Sequence, residues 1–242
     1  MPACLVLPTL DEALNLAPLV AAVRKAAPGL RILVVDDRSP DGTGAVAEEL
    51  ALRDGNLAVL HREGPRGFGG ALTEGFRRAL GEGAEAVVTM DCDFSHDPQD
   101  VPRLLAALGS GDVVIGSRYT AGGTIRAWSL YRRLLSAAAN SFVRVLYRLP
   151  ARDCTSGFRA YTREALLGVP WDGLHSPGYS FLVEVLYWTT RAPARRVVEV
   201  PICFTERRAG KSKMGWRQIF AGALNLIKLR LDLLGPARRA RG

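Results

Sequence analysis

Two aspartates one residue apart, Asp91-Cys92-Asp93, close the apolar run Ala86-Val87-Val88-Thr89-Met90. A buried strand that stops at two carboxylates sets hard oxygen donors at the carboxyl edge of a sheet, where open α/β folds hold their ligands. The pair suits a divalent cation bridging a diphosphate, although an isolated Asp-x-Asp is also ordinary strand-end or helix-cap chemistry. Two more acidic loops follow the first two strand-like runs: Pro8-Thr9-Leu10-Asp11-Glu12 and Asp36-Asp37-Arg38-Ser39-Pro40-Asp41-Gly42-Thr43. Glu12 and Asp37 are expected to accept hydrogen bonds from a nucleobase or ribose, and Asp11 and Asp41 to cap helices.

Arg66-Gly67-Phe68-Gly69-Gly70 leads into a helical pattern and offers backbone amides or Arg66 to an anion. It lacks the spacing of a P-loop, and no Gly-x-Gly-x-x-Gly follows the first strand, so ATPase and dehydrogenase readings lose support. His96 reads as a loop hydrogen-bonding residue or a metal ligand, the first suiting the oxygen preference of hard cations. Trp128 and Tyr131 read as packing or interfacial residues.

The elements that must position these groups alternate. Strand-like Cys4–Leu7, Ile32–Val35, Ala58–Leu60, Ala86–Met90 and Val113–Ile115 are interleaved with helical patterns at Glu12–Ala26, Thr43–Leu52, Gly70–Leu80 and Gln99–Leu108. This order predicts an α/β fold, a mostly parallel sheet flanked by helices. After Arg118 come a Gly-rich loop at Gly122-Gly123, a helix over Ser129–Tyr147, a strand near Phe158–Tyr161, a helix over Tyr179–Thr190, a strand at Val197–Val200 and a polar loop at Thr205–Lys213. Between Trp216 and Leu234 the apolar Ile219, Phe220, Ala223, Leu224, Ile227 and Leu231 recur at helical spacing, interrupted by Arg217, Lys228, Arg230 and Asp232. Such a helix is too polar to cross a bilayer; it either docks on the core or lies on a membrane surface, aided by Arg238, Arg239 and Arg241.

With 242 residues, 48% of them hydrophobic, the chain can bury one large core or two small ones. A formal charge of +8 and a pI near 9.7 call for an anionic partner. Nucleic acid is disfavoured, because the arginines are dispersed and no aromatic-interleaved basic platform is present. The four cysteines are scattered without a Cys-x-x-Cys pair and no signal peptide is read, which together suit a cytoplasmic setting.

Together these motifs resemble the GT-A glycosyltransferases of family two, most closely their polyprenyl-phosphate branch, the dolichol-phosphate mannose synthases. The resemblance rests on Asp-Asp-x-Ser-Pro-Asp-Gly-Thr at 36–43, Arg-Gly-x-Gly at 66–69 and Met-Asp-x-Asp-x-Ser-His-x-Pro at 90–98. It continues with Gly-Ser-Arg-Tyr at 116–119, Asp-x-Thr-Ser-Gly-Phe-Arg at 153–159 and Arg-x-x-Gly-x-Ser-Lys-Met at 207–214. It implies a GT-A domain over 1–213, with a nucleotide-sugar half (1–118) and an acceptor half (119–213), followed by an amphipathic helix and basic tail at 214–242.

The resemblance further implies that Pro8, Glu12 and Asp37 hold the guanosine part of GDP-mannose, with Thr9, Leu10, Val35 and Arg66 also among the residues that bind the nucleotide sugar. Asp91 and Asp93 would coordinate Mg²⁺ or Mn²⁺, with Cys92 against the nucleotide. Arg118, Arg207 and Lys213 would surround the phosphates and act with Asp93 in catalysis, while Arg118, Arg132 and Ser136 receive the phosphate of a polyprenyl monophosphate. The implied enzyme works peripherally at the cytoplasmic face of a membrane, with a separate transmembrane partner conceivable. Leu10 stands where the family usually has tyrosine, and Cys92 where it has alanine.

The chemistry agrees. A departing diphosphate gains charge that a metal and Arg118, Arg207 and Lys213 can stabilise. A phosphate acceptor is already ionised, and no Glu-Asp pair of the kind that activates a sugar hydroxyl lies between 119 and 213. Asp153 is left as a fallback base or a loop residue. UDP-glucose or another nucleotide sugar is the alternative donor, and a non-catalytic membrane-docking module the reading from another class.

Overall fold

The computed structural model describes residues 1–174, 176, 178–192, 194–207, 222 and 224–231. A seven-stranded sheet runs through it, built from β1 (Ala3–Thr9), β2 (Arg31–Asp36), β3 (Leu57–His61), β4 (Ala86–Thr89), β5 (Val113–Ser117), β7 (Arg159–Thr162) and β8 (Val197–Pro201). Its order is β3-β2-β1-β4-β7-β5-β8, and every pairing is parallel except the two made by β7. The reversed β7 leaves β5 running with β4, so β1, β2, β4, β5 and β8 all finish at one edge. Thr9, Asp36, Asp91 and Arg118 are thereby brought to one side of the molecule.

Helices cover both faces, which is why the central strands β1, β2, β4 and β5 carry near-continuous apolar runs. Successive strand residues divide between two cores, as a period of two requires. Cys4, Val6, Leu33, Val35, Val87, Val113 and Ile115 face one core. That core is filled from α3 (Phe68–Gly81), α5 (Leu130–Tyr147), α6 (Arg163–Leu167) and α7 (Tyr179–Thr189). Leu5, Leu7, Ile32, Val34, Val88 and Val114 face the other, under α1 (Ala13–Ala26), α2 (Thr43–Arg53) and α4 (Val101–Ala107). Gly75 lets α3 lie close on the sheet, since a Cβ there would fall 2.5 Å from Val6 Cγ1.

The elements agree with the expected ones to within a residue or two, with α4 preceded by a 3₁₀ turn at Pro98–Asp100. Two short strands were not anticipated: β6 (Thr124–Ile125) pairs in parallel with β9 (Cys203–Phe204), forming a flap beside the carboxyl edge. Residues 222 and 224–231 are helical. Leu226 is buried in the α5–α7 core, the Tyr147 hydroxyl donates to its carbonyl at 2.6 Å, and Leu224, Ile227 and Leu231 are exposed. This part of the expected 216–234 helix is therefore docked on the core with an apolar stripe outward; Ile219, Phe220 and Ala223 lie outside the described residues. Among the described residues no helix is long and apolar enough to cross a membrane.

Candidate active site

The β1 and β2 loops are tied together before any ligand is considered. Thr9 Oγ1 lies 3.4 Å from both the Val35 carbonyl and Asp36 Oδ1, and the Asp37 amide donates to the Thr9 carbonyl at 3.0 Å. Asp41 accepts from the amides of Thr43 and Ala13, each at 3.0 Å, so one carboxylate caps the starts of both α2 and α1. Burial works to raise its pKa, but these bonds and the Thr43 hydroxyl outweigh it and lower it. Asp11 has a positive φ and its amide donates to Ser39 Oγ; the cap expected of it at α1 is supplied by Asp41. Glu12, half-buried, accepts from Asn15 Nδ2 at 2.7 Å.

Asp37 is more constrained than a simple ligand contact. It is buried, with one oxygen on Arg62 and the other accepting from the Gly67 amide at 2.6 Å. Arg62, itself buried, also grips Glu74 at 2.8 Å and the Pro65 carbonyl at 3.2 Å. Asp37 thus holds the Arg66-Gly67 loop against the β2 loop, and Arg66 lies exposed with its guanidinium on the Arg38 carbonyl. The Val35 side chain, expected at the nucleotide sugar, is wholly buried in the core under α3, which leaves only its backbone to face the carboxyl edge. Pro8 and Leu10 are half-buried beside this loop.

In the Asp-x-Asp loop the Cys92 side chain points into the core under α4, while Asp91 is half-buried and Asp93 buried. The Ser95 amide donates to Asp93 Oδ1 at 3.0 Å, fixing the second carboxylate, and Arg207 Nη2 lies 3.5 Å from Asp93 Oδ2. Burial, then the neighbouring Asp93 charge, pushes Asp91 up to about 7. Gly157 leaves room for it, because a Cβ there would sit 3.3 Å from Asp91 Oδ1. Among the described residues no third Asp, Glu, His or Cys joins these two in a metal-holding cluster. Two hard carboxylates that already draw a guanidinium fit a divalent ion whose other ligands are substrate oxygens and water.

Arg118 sits at the end of β5, buried, with Nε and Nη2 each 2.7 Å from Asp153, and Nη2 2.9 Å from Thr155 Oγ1. Burial works against the cation, but Asp153 more than offsets it and the Arg118 pKa is raised. Burial works to raise Asp153 as well, yet Arg118 holds that carboxyl below its ordinary range. Asp153 is therefore an ionised, fully engaged partner and not a spare base. Its loop is clamped from both sides: the Asp153 amide donates to Glu199 at 2.9 Å, and Asn140 Oδ1 accepts from Cys154 at 2.8 Å and Thr155 at 3.2 Å.

Arg132 and Ser136 are one turn apart on α5 and half-buried, and Arg132 Nη1 reaches Glu206 at 3.2 Å. His96 is enclosed between the rings of Phe158 and Phe204 at 5.1 and 5.3 Å, and burial lowers its pKa to about 4. Its Nδ1 has no hydrogen-bond partner among the described residues. Lys213 lies outside the described residues. Arg62, Asn140 and Glu199 escaped the sequence reading because nothing local marks a side chain that clamps a loop distant in the chain.

The assembled site has a carboxylate pair, Arg207 against it, Arg118 locked behind it and Arg132 at its side. That combination can hold and discharge a diphosphate. Three named relatives are similar to the chain. A polyprenol monophosphomannose synthase of Mycolicibacterium smegmatis is 43% identical over 98% of this chain and 89% of its own length. An undecaprenyl-phosphate mannosyltransferase of Micrococcus luteus is 39% identical over 98% and 97%. A dolichol-phosphate mannosyltransferase of Pyrococcus furiosus is 35% identical, with this chain spanning 64% of its length. Among solved structures, a glucosyl-3-phosphoglycerate synthase from Mycobacterium tuberculosis in complex with Mg²⁺ and UDP superposes with a TM-score of 0.66 at 23% identity, over 93% of this chain and 78% of that one. The same enzyme with Mn²⁺, UDP and glucosyl-3-phosphoglycerate gives 0.63 at 22%, over 93% and 77%, so the GT-A fold is shared. Residues 4–168 match the model of glycosyl transferase family 2, and the chain belongs to that family.

Proposed function

We propose that the protein is a polyprenyl-phosphate mannosyltransferase that moves mannose from GDP-mannose to a polyprenyl monophosphate with inversion at the anomeric carbon. The observation that carries this reading is the Arg118–Asp153 pair: the one carboxylate noted as a fallback base in the acceptor half is bound to an arginine and held ionised. An acceptor hydroxyl would need a base, whereas a phosphate oxygen attacks unaided. The three mannosyltransferase relatives point the same way.

In the reaction an acceptor phosphate oxygen forms a bond to the anomeric carbon as the bond from that carbon to the diphosphate oxygen breaks, and GDP departs with the electron pair. Asp91 and Asp93 would hold Mg²⁺ or Mn²⁺, which when bound supplies charge stabilisation to the leaving diphosphate. Arg207 would turn from Asp93 to the diphosphate oxygens, joined by Lys213. Arg118 and Arg132 would hold the acceptor phosphate, with Ser136 beside them, and Asp153 keeps Arg118 from swinging away. Glu12, Asp37 and the Pro8–Leu10 backbone would meet the nucleoside.

Peripheral membrane binding is supported by α5, which exposes Leu130, Tyr131 and Leu134 beside the exposed Arg126 and Arg133. Apolar residues flanked by arginines suit an anionic lipid surface. The test is transfer of radiolabelled sugar from GDP-mannose, and in parallel UDP-glucose, into solvent-extractable polyprenyl phosphate with Mg²⁺ or Mn²⁺. Product from GDP-mannose that disappears with Asp93→Ala is expected. Product from UDP-glucose alone would overturn the donor, and unchanged lipid-dependent function in Asp93→Ala would overturn catalysis.

A further inference from the structure

Between β6 and α5 the side chain of Trp128 lies against two arginines. The Arg132 guanidinium carbon is 4.1 Å from the centre of its ring, and that of Arg118 is 5.8 Å away. The indole N–H is buried with no hydrogen-bond partner among the described residues. A buried N–H left unpaired costs stability, so ordinary packing does not explain an indole where phenylalanine or leucine would fill the space without that loss. What the larger ring supplies is an extended electron-rich face for a cation.

Trp128 is not isolated. Its ring meets Phe204 of β9 edge-on at 5.3 Å, and Phe204 in turn meets His96 at 5.3 Å, three residues beyond Asp93. Arg118 also lies 5.3 Å from the Phe204 ring and 5.4 Å from that of Tyr119. The β6–β9 pairing fixes Phe204 by backbone bonds, and Thr205 donates from its amide to the Ser95 carbonyl at 3.0 Å and from Oγ1 to the Phe94 carbonyl at 3.1 Å. A row of rings therefore runs from the Asp-x-Asp loop to the start of α5. Arg132 needs this support more than Arg118 does: Arg118 has Asp153, while Arg132 is 39% exposed at its side chain and otherwise paired with the exposed Glu206. A long arginine side chain held only by such a pair gains little from it.

The geometry points to Trp128 as a positioning residue that holds Arg132, and through the shared ring Arg118, in place for the acceptor phosphate. The inference rests on the proposed transfer to a phosphate acceptor. Losing the ring face frees Arg132 to sample other rotamers, which weakens capture of the acceptor and leaves the nucleotide-sugar loops untouched. Phenylalanine at 128 keeps a smaller face and so retains most of the effect.

The experiment measures KM for a polyprenyl monophosphate and for GDP-mannose separately in the wild type, Trp128→Leu and Trp128→Phe. In Trp128→Leu the acceptor KM is expected to rise about tenfold, within the range for loss of a partly desolvated cation–π contact. Donor KM should hold within about twofold, and Trp128→Phe should recover most of the loss. An unchanged acceptor KM, or equal rises in both KM values, would overturn the positioning role. Should Trp128→Leu not fold, Trp128→Phe decides: its smaller ring face should raise the acceptor KM by about two- to threefold with the donor KM unchanged, and an acceptor KM equal to that of the wild type would overturn the role. No product from the wild type would instead remove the transfer reading on which the inference stands.

Discussion

Asp153 binds the Arg118 guanidinium through two 2.7 Å hydrogen bonds and accepts a third from the Arg118 amide at 3.0 Å, with both side chains buried. The pair converts a strand end into a fixed cation. Asp153→Ala strips that cation of its partner, a change that in buried pairs costs about 3–5 kcal/mol. Urea unfolding should show a loss of that order together with severe loss of transfer; a loss below about 1 kcal/mol would mean that Arg118 is supported otherwise.

The same pair sets an acid limit. The folded Asp153 carboxyl lies below its ordinary value, so its stabilisation is fully present above the unfolded carboxylate pKa of about 3.9 and is lost as pH falls through the folded value. Stability of the wild type should therefore decline on acidification below about pH 4 more steeply than that of Asp153→Asn, as read by thermal melts across pH.

Asp91 titrates in the opposite sense. Burial beside Asp93 raises it to about 7, so a proton would compete with a divalent ion at this carboxylate. Mn²⁺ binding in the presence of GDP, followed by calorimetry, should weaken by up to about tenfold per pH unit below 7, with proton release on binding. Affinity independent of pH between about 6 and 8 would remove Asp91 from the metal site.

If α5 rests on lipid, replacing Leu130, Tyr131 and Leu134 together by serine should weaken sedimentation with anionic vesicles. Each apolar side chain withdrawn from the interface is worth about 1–2 kcal/mol, and these three are exposed, so the fold should keep its melting temperature. Undiminished binding would move the lipid contact elsewhere, the exposed Leu224, Ile227 and Leu231 stripe being next to test.

The cysteines give a check on the fold itself. Cys4, Cys92 and Cys154 are buried, and burial pushes the thiols of Cys4 and Cys154 up to about 12, whereas Cys203 is only half-buried on β9. A thiol reagent at neutral pH should modify the native protein at Cys203 and reach the other three only on unfolding. Rapid native labelling of Cys92 would show that the Asp-x-Asp loop opens.

The alternating elements, the Asp91–Asp93 pair at a strand end and the family motifs were legible before folding, because they depend on residue period and on chemistry within a few positions. The capping role of Asp41 was legible for the same reason. Which partners those residues meet was decided by the tertiary structure. Reversed β7 enters between β4 and β5 through pairings some 45 to 75 residues apart, and it places the Asp153 loop behind Arg118, turning a suspected base into a counter-ion. Long-range closure likewise put the Val35 side chain in the core, tied the Asp37 carboxylate to Arg62 and Gly67, and set Trp128 against Phe204 of β9. In residues 224–231, spacing put Leu224, Ile227 and Leu231 on one face, but the core took Leu226 instead. Periodicity says which residues share a face; only packing says what that face meets.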